Sequence, residues 1–230
     1  MTDTVFVVHI YYIDMLEELR QHLDGLRCNM DFDIVATVPD NFGDYEIDMI
    51  NRSLKCRLIK PFENRGRDVL PFLSILPYIK DYKYSCKLHT MRDKRWRFGP
   101  PFIYASWRNA LWSVLTDPAN AKKAKYAIDQ GQGFFAPEEI WLRHGTSPLE
   151  KDKKNAVFER NLKNMNILSE LFGFEMLAEA FVAGTMFWFR PSSLTWLSSY
   201  DLDILFEPEQ GADDGKMEHA FERCFHQLLR

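Results

Sequence analysis

The sequence predicts an α/β fold organised around a mainly parallel sheet. Three observations support this. Strand-like and helix-like runs alternate through the first half of the chain, the signature of a sheet built by crossover connections. The first run, Val5 to Tyr12, is β-branched and aromatic, as a buried strand is. The 230 residues contain no internal repeat and no linker rich in Gly, Pro or Ser, so a single domain over 1–230 is the simplest organisation.

After the first strand, Asp14 is placed to cap a helix in which Met15, Leu16, Leu19, Leu23 and Leu26 recur at helical spacing up to Arg27. Asp33 to Val38 reads as the second strand, stopped by Pro39, and Arg57 to Lys60 as a third, stopped by Pro61. A loop from Phe62 to Asp68 leads into an apolar helix over Val69 to Tyr78, and Lys83 to Leu88 reads as the fourth strand. Pro100 and Pro101 open a helix that runs to Leu115, and a shorter one covers Asn120 to Ile128. Gln132 to Phe135 reads as a strand, Glu138 to Lys154 as a loop with a short helix, and Ala156 to Phe172 as a long helix. Ala180 to Arg190 reads as one extended apolar strand, Ser192 starts a further helix, and Met217 to Leu228 carries the apolar spacing of a last one.

Composition excludes several classes. The net charge of −4 argues against a nucleic-acid binder that relies on global charge. Four widely spaced cysteines without a C-x-x-C pair fit buried free thiols in a reducing compartment, not a disulfide framework or a zinc ribbon. The start lacks a basic signal-peptide region, and the longest apolar run, Phe181 to Phe189, is too short to cross a bilayer. A cytoplasmic protein is the expectation. The 14% aromatic share fits a core rich in Phe. No P-loop, G-x-G-x-x-G, G-x-S-x-G or H-E-x-x-H motif is present.

In open α/β sheets, ligands bind beyond the carboxyl ends of the strands. His9, Tyr11 and Tyr12 close the first strand, and Asn64-Arg65-Gly66-Arg67-Asp68 follows the third. Lys87, His89 and Thr90 end the fourth, followed by Arg92, Lys94, Arg95 and Arg97. Glu207, Glu209, Asp213 and Asp214 come after the apolar strand near 180. Residues 80–97 hold seven Lys or Arg against two Asp, whereas residues 201–223 hold eight acidic side chains against two basic. Guanidiniums beside a permissive Gly suit a phosphate, and carboxylates suit general-base or metal chemistry. Two oppositely charged solvated faces would show the same counts. Asp68 also reads as the N-cap of the following helix, with Pro71 in its first turn. His89 among basic residues favours an anion site over a metal. His219 and His226 can share a helix face, without the neighbours that zinc requires.

Five blocks in order carry a resemblance. They are Val7-Val8-His9-Ile10-Tyr11-Tyr12, Asn64 to Asp68, Cys86-Lys87-Leu88-His89-Thr90, Ala183 to Arg190, and Asp214-Gly215-x-x-x-His219-Ala220-Phe221-Glu222-Arg223. Together they resemble the rhamnan synthesis protein F family of bacterial polysaccharide and lipopolysaccharide O-antigen assembly, and more distantly the GT-A glycosyltransferases. The resemblance implies a GT-A-like fold and transfer of a sugar from a nucleotide-sugar, usually rhamnose from dTDP-rhamnose; an inverting glycosyltransferase is the first functional expectation. By the resemblance, His9 and Tyr11 lie near the nucleotide base. Asn64, Gly66, Arg67 and Asp68 contact base, ribose or diphosphate, Gly184 and Thr185 border sugar and acceptor, and Asp214 is the base. The implied partners are a nucleotide-sugar, a glycan or lipid-linked glycan acceptor and other transferases of the assembly.

GT-A enzymes usually carry Asp-x-Asp after strand four, where this chain has His89-Thr90-Met91. Metal dependence is therefore an open alternative, and Lys87, His89, Arg92 and Arg95 are the expected substitutes on the leaving diphosphate. Without Asp-x-Asp, a non-catalytic nucleotide- or glycan-binding module is the alternative function. A third reading places the segment Arg92 to Trp112, with Trp96, Phe98, Phe102, Trp107 and Trp112, peripherally on a membrane surface.

Overall fold

The structure is a computed structural model that describes residues 2–92, 102–143, 156–176, 180–209 and 215–229. Its strands are β1 (Thr4–His9), β2 (Asp33–Pro39), β3 (Leu58–Phe62), β4 (Tyr84–His89), β5 (Phe134–Phe135), β6 (Trp141–Arg143), β7 (Ala180–Val182) and β8 (Phe187–Phe189). Its helices are α1 (Leu16–Arg27), α2 (Asp44–Leu54), α3 (Val69–Ile79), α4 (Phe102–Leu115), α5 (Pro118–Asp129), α6 (Ala156–Phe172) and α7 (Met217–Leu228).

Six strands form one sheet in the order β3-β2-β1-β4-β8-β5. The first four are parallel, and β8 and β5 add antiparallel. The fold is α/β with a mostly parallel mixed sheet, as expected. The chain moves outward from β1 through β2 to β3, then returns past β1 to β4. With right-handed crossovers, this reversal puts α1 and α2 on one face and α3 on the other. Accordingly α1 packs against α2 and α4, and α4 against α5, while α3 packs against α7 and α7 against α6.

The core is aromatic in the way the composition suggests. Phe72 meets Phe187, Phe189 and Phe225 edge to face at 5.4–6.2 Å, and Phe6 meets Trp188 at 5.3 Å. Two buried indoles donate to backbone carbonyls, Trp112 to His89 at 3.2 Å and Trp188 to Leu115 at 3.0 Å. Trp112 is thus a core residue, not part of a membrane-facing surface; residues 93–101 and the side chains of Phe102 and Trp107 lie outside the described residues. Among the described residues no helix is long and apolar enough to cross a membrane. All four cysteines are free; Cys86 and Cys224 are buried, but Cys28 is exposed and Cys56 half-buried.

Several element boundaries differ from expectation. Asp14 does not cap α1; it sits in a 3₁₀ turn, Ile13–Met15, and pairs with Arg92 at 2.8 Å. Helix α2 was not expected, because only Ile50 and Leu54 of its mostly polar sequence are buried. Pro61 does not end β3, since β3 is an edge strand and can lack an N–H donor. The apolar run Ala180 to Arg190 is two strands, not one. Gly184 and Thr185 turn the chain, so β7 pairs with β6 in a small second sheet while β8 joins the main one. After Pro191 the chain makes three 3₁₀ turns instead of an α-helix. Asp117, not Asn120, opens α5: its carboxylate accepts from the N–H groups of Ala119 and Asn120 at 3.0 and 2.9 Å.

Gly133, just before β5, lies so close to the chain end that a Cβ would fall 1.9 Å from the Leu229 carbonyl oxygen and 2.9 Å from Ser193 Oγ. Gly133→Ala is expected to lower the unfolding free energy by about 2 kcal/mol or more, measured by urea denaturation. Wild-type stability in that variant would show that β5 and the C-terminus are not held in this contact.

Candidate functional site

β1 and β4 lie side by side with His9 opposite His89, at the point where the sheet reverses direction. A crevice opens there. Its volume is about 410 Å³, within the range of small-molecule sites. A hollow of about 650 Å³ between α1 and α2 lies elsewhere, lined by charged side chains such as the Arg20–Asp24 and Arg52–Asp48 pairs.

The crevice floor is a buried ion pair. Lys87, on β4, is 1% exposed, and its Nζ donates to Asp68 Oδ2 at 2.5 Å and to the Thr185 carbonyl at 2.8 Å. Asp68 occupies the N-cap position of α3, but its side chain caps nothing. Its carboxylate serves Lys87 and lies 3.4 Å from His89 Nδ1. His9 Nδ1 meets Thr37 Oγ1 at 2.9 Å. Burial pushes His89 down to about 4 and His9 down to about 3, against a partial opposing pull from Asp68. Both rings are therefore neutral at pH 7. Burial alone would raise the Asp68 carboxyl, but His89 and Lys87 outweigh it and hold it well below the usual carboxylate range.

The walls come from backbone turns in unusual conformations. Gly66 and Arg67 have φ of +63° and +51°, and Gly184 and Thr185 have +78° and +53°. A Cβ on Gly66 would lie 2.6 Å from Phe206 Cδ1, so glycine is required by space as well as by φ. Thr185 is β-branched in the left-handed region, a strained state held from two sides. Lys87 binds its carbonyl, and Glu222 Oε1 accepts from the Gly184 N–H at 2.7 Å. Thr90 Oγ1 accepts from the N–H groups of Tyr11 and Tyr12, both at 3.0 Å, and the Asn64 amide donates to the Tyr11 hydroxyl at 3.3 Å.

The crevice brings together His9, Tyr11, Asn64, Arg67, Asp68, His89, Thr90, Gly184 and Thr185. Arg65 does not line it: its guanidinium pairs with Glu63 at 3.3 Å and its backbone bridges to Pro208. Gly66 packs behind it, and Lys87 lies beneath it. Asp214, Asp213 and Arg95 lie outside the described residues. Arg92 lines the mouth and is exposed.

The sequence singles out Tyr12 and Glu209 at strand ends and carries His219 and Glu222 in the last of the five blocks without naming any of them as a site residue, and it does not single out Glu218; all five line the crevice. Glu218 and Glu222 are four apart on α7, spacing that puts both on one helix face. Burial raises the Glu218 carboxyl. Arg67 Nε lies 3.1 Å from Glu209 and 3.8 Å from Glu218. Its Nη1 lies 3.0 Å from His219 Nε2. Among the described residues no three His, Cys, Asp or Glu converge to hold a metal, and Asp68 is already committed to Lys87, so the described crevice does not fit a divalent ion.

Removing one partner of the buried pair leaves the other charge uncompensated. Lys87→Met is expected to cost about 3 kcal/mol or more in chemical denaturation, with partial recovery in the double variant with Asp68→Asn. The histidines add a pH dependence. Folded His89 and His9 resist protons that the unfolded chain takes up near 6.5, so their contribution is complete above pH 6.5. It declines as pH falls below 6.5 and is fully lost once pH has passed about 4 for His89 and about 3 for His9. Asp68 adds a further loss below about 3.8. In melting curves between pH 7 and 4.5, His89→Gln should flatten the acid decline by about 1.4 kcal/mol per pH unit; an unchanged slope would mean that His89 takes up its proton in the folded protein.

Comparison with known proteins agrees with the motif order. A family model described as rhamnan synthesis protein F matches residues 2–229. "Uncharacterized protein WxcX" from each of two strains of Xanthomonas campestris pv. campestris is 28% identical over 232 residues, covering 94% of this chain and 30% of the relative. The chain thus spans less than a third of the length of these relatives. No solved structure gives a significant match. The family match takes in every strand end that lines the crevice, and the chain belongs to the rhamnan synthesis protein F family, which implies a part in rhamnan or related polysaccharide synthesis.

Proposed function

We propose that the protein is an inverting glycosyltransferase. It moves a sugar, rhamnose from dTDP-rhamnose, to a growing bacterial surface polysaccharide or lipopolysaccharide O-antigen. One observation carries the reading. Asn64, Arg67, His9, Tyr11, His89 and Thr90 from three strand ends line one crevice at the switch point, facing carboxylates of α7. A nucleotide-sugar needs a cleft of this kind, open at the mouth for the nucleotide and polar inside for the sugar.

In the proposed reaction an acceptor hydroxyl loses its proton to Asp214, which lies just ahead of α7 in the chain. The oxygen attacks the anomeric carbon, the bond from that carbon to the diphosphate breaks, and the nucleoside diphosphate leaves with the electron pair. Lys87 and His89 cannot supply cationic stabilisation to the leaving group, because one is neutralised beneath the floor and the other is an uncharged ring. That role falls to groups at the mouth: Arg92, the Asn64 amide and the Tyr11 hydroxyl.

The same commitment of Lys87 to Asp68 favours a second reading, a non-catalytic module that binds nucleotide or glycan beside a partner transferase. Assays separate the two. A nucleotide-sugar at one hundred times its dissociation constant should raise the melting temperature by about 5–10 °C. Asp214→Asn should cut turnover by about 10²- to 10⁴-fold with donor affinity unchanged. Binding without turnover on several acceptors would favour the second reading, and no thermal shift with any nucleotide-sugar would overturn the first and leave the second only as a glycan-binding module.

A further inference from the structure

His9 and His89 stand side by side across the β1–β4 pairing, each 7% exposed, and both line the crevice. His89 Nδ1 is enclosed by protein and makes no hydrogen bond; the charge nearest to it is Asp68 Oδ2, 3.4 Å away. Asp68 is ionised and can only accept, so a ring lone pair aimed at it would be repelled. The favoured tautomer of the neutral ring therefore carries its hydrogen on Nδ1. That leaves Nε2 as a bare acceptor. Nε2 is not enclosed as Nδ1 is: it opens on the crevice that the ring lines, and among the described residues no group donates to it. His9 is less restricted. Its Nδ1 meets the Thr37 hydroxyl at 2.9 Å, and a hydroxyl can give or take that hydrogen bond. His9 Nε2 can accordingly accept or donate.

These two rings select a ligand group. An acceptor this deep without a donor is costly, and a ligand that brings an O–H relieves the cost. A phosphate oxygen can only accept. It would face the His89 lone pair over a floor without net charge, since Asp68 matches the Lys87 ammonium. A divalent ion would want more ligands, and among the described residues no three His, Cys, Asp or Glu converge. Burial holds the His89 ring down to about 4, so near pH 7 it takes a hydrogen bond and not a proton. A hydroxyl donates to His89 and can accept from His9, which fits both rings. In a nucleotide-sugar the uncharged part richest in hydroxyls is the transferred sugar.

We propose that His89, backed by Asp68, is the hydrogen-bond acceptor for a ring hydroxyl of the transferred sugar, with His9 completing the subsite on the crevice floor. The assignment rests on the glycosyltransferase reading and deepens it. His89 then meets the sugar, not the leaving diphosphate expected from the sequence.

The test compares a nucleotide-sugar with its own nucleoside diphosphate. A panel of dTDP-, UDP-, GDP- and ADP-sugars is screened by thermal shift, and the best binder and its diphosphate are titrated by calorimetry into wild type, His89→Phe and His89→Gln. His89→Phe, which has no acceptor, should weaken the nucleotide-sugar about tenfold, the size of one hydrogen bond, and the diphosphate less than twofold. His89→Gln, whose amide oxygen can accept, should recover most of the loss. Proton–nitrogen correlation NMR of the imidazole rings in wild type supplies a second readout that needs no variant to fold. His89 Nε2 should show the shift of a bare nitrogen in the free protein and move toward the protonated value with the nucleotide-sugar, but not with the diphosphate. Hydrogen on Nε2 in the free protein would overturn the assignment. Equal losses for both ligands in His89→Phe would put a nucleoside group on the ring and overturn it while leaving donor binding intact. Unchanged affinity for both ligands would overturn it as well. Failure of wild type to bind any member of the panel would overturn the transferase reading, and the assignment with it.

Discussion

The Lys87–Asp68 ion pair joins three parts of the chain that are distant in sequence. Lys87 lies on a central strand, Asp68 at the start of α3, and the second acceptor of the ammonium is the carbonyl of Thr185 in the turn between β7 and β8. Two charges this deep are costly to desolvate, and their mutual attraction offsets that cost only because the geometry is short and the ammonium has a further acceptor. The pair therefore acts more on position than on net stability. It sets where the Asn64–Asp68 loop stands relative to the 183–185 turn, and the crevice is the space between them. Both segments contain left-handed residues other than Gly, Arg67 and Thr185, a strain that surrounding contacts must hold.

The electrostatics of the crevice follow from this floor. Burial leaves His9 and His89 uncharged, and the ammonium is matched by a carboxylate, so the floor presents no net charge to a ligand. At the rim the exposed Arg92 guanidinium pairs with Asp14, while the wall from α7 is rich in carboxylate. The crevice therefore presents a guanidinium–carboxylate pair at its mouth and a mixed donor–acceptor interior. Among the described residues this polarity arises without a group of metal-binding side chains. It distinguishes the crevice from the hollow between α1 and α2, where surface charges pair with each other.

Much of the fold was legible because local pattern and tertiary context agree for β1, α1, β2, α3 and β4. Each has a continuous or helically spaced apolar set that is buried in the structure. Where the pattern was weak, as in α2, or where an apolar run was interrupted by backbone geometry, as at Gly184-Thr185, reading failed. Hydrophobicity reports burial but not direction, so an apolar run from Ala180 to Arg190 looks like one strand whether or not the chain turns within it. Corner-forming 3₁₀ turns after Pro191 leave no periodic trace either.

Residue type and order along the chain were enough for the α/β class, the parallel pairing of the first four strands and the identity of the strand-end residues, since these depend on local periodicity and on the general placement of ligand sites in such sheets. Charge state and partnership were not readable that way. Lys87 and His89 look like an anion site in sequence, and only packing shows that a carboxylate nineteen residues upstream neutralises one and burial discharges the other. The contribution of α7 was equally hidden. Glu218 and His219 reach Arg67 across about 150 residues of chain, and such contacts depend on where a helix docks, which its own sequence does not encode.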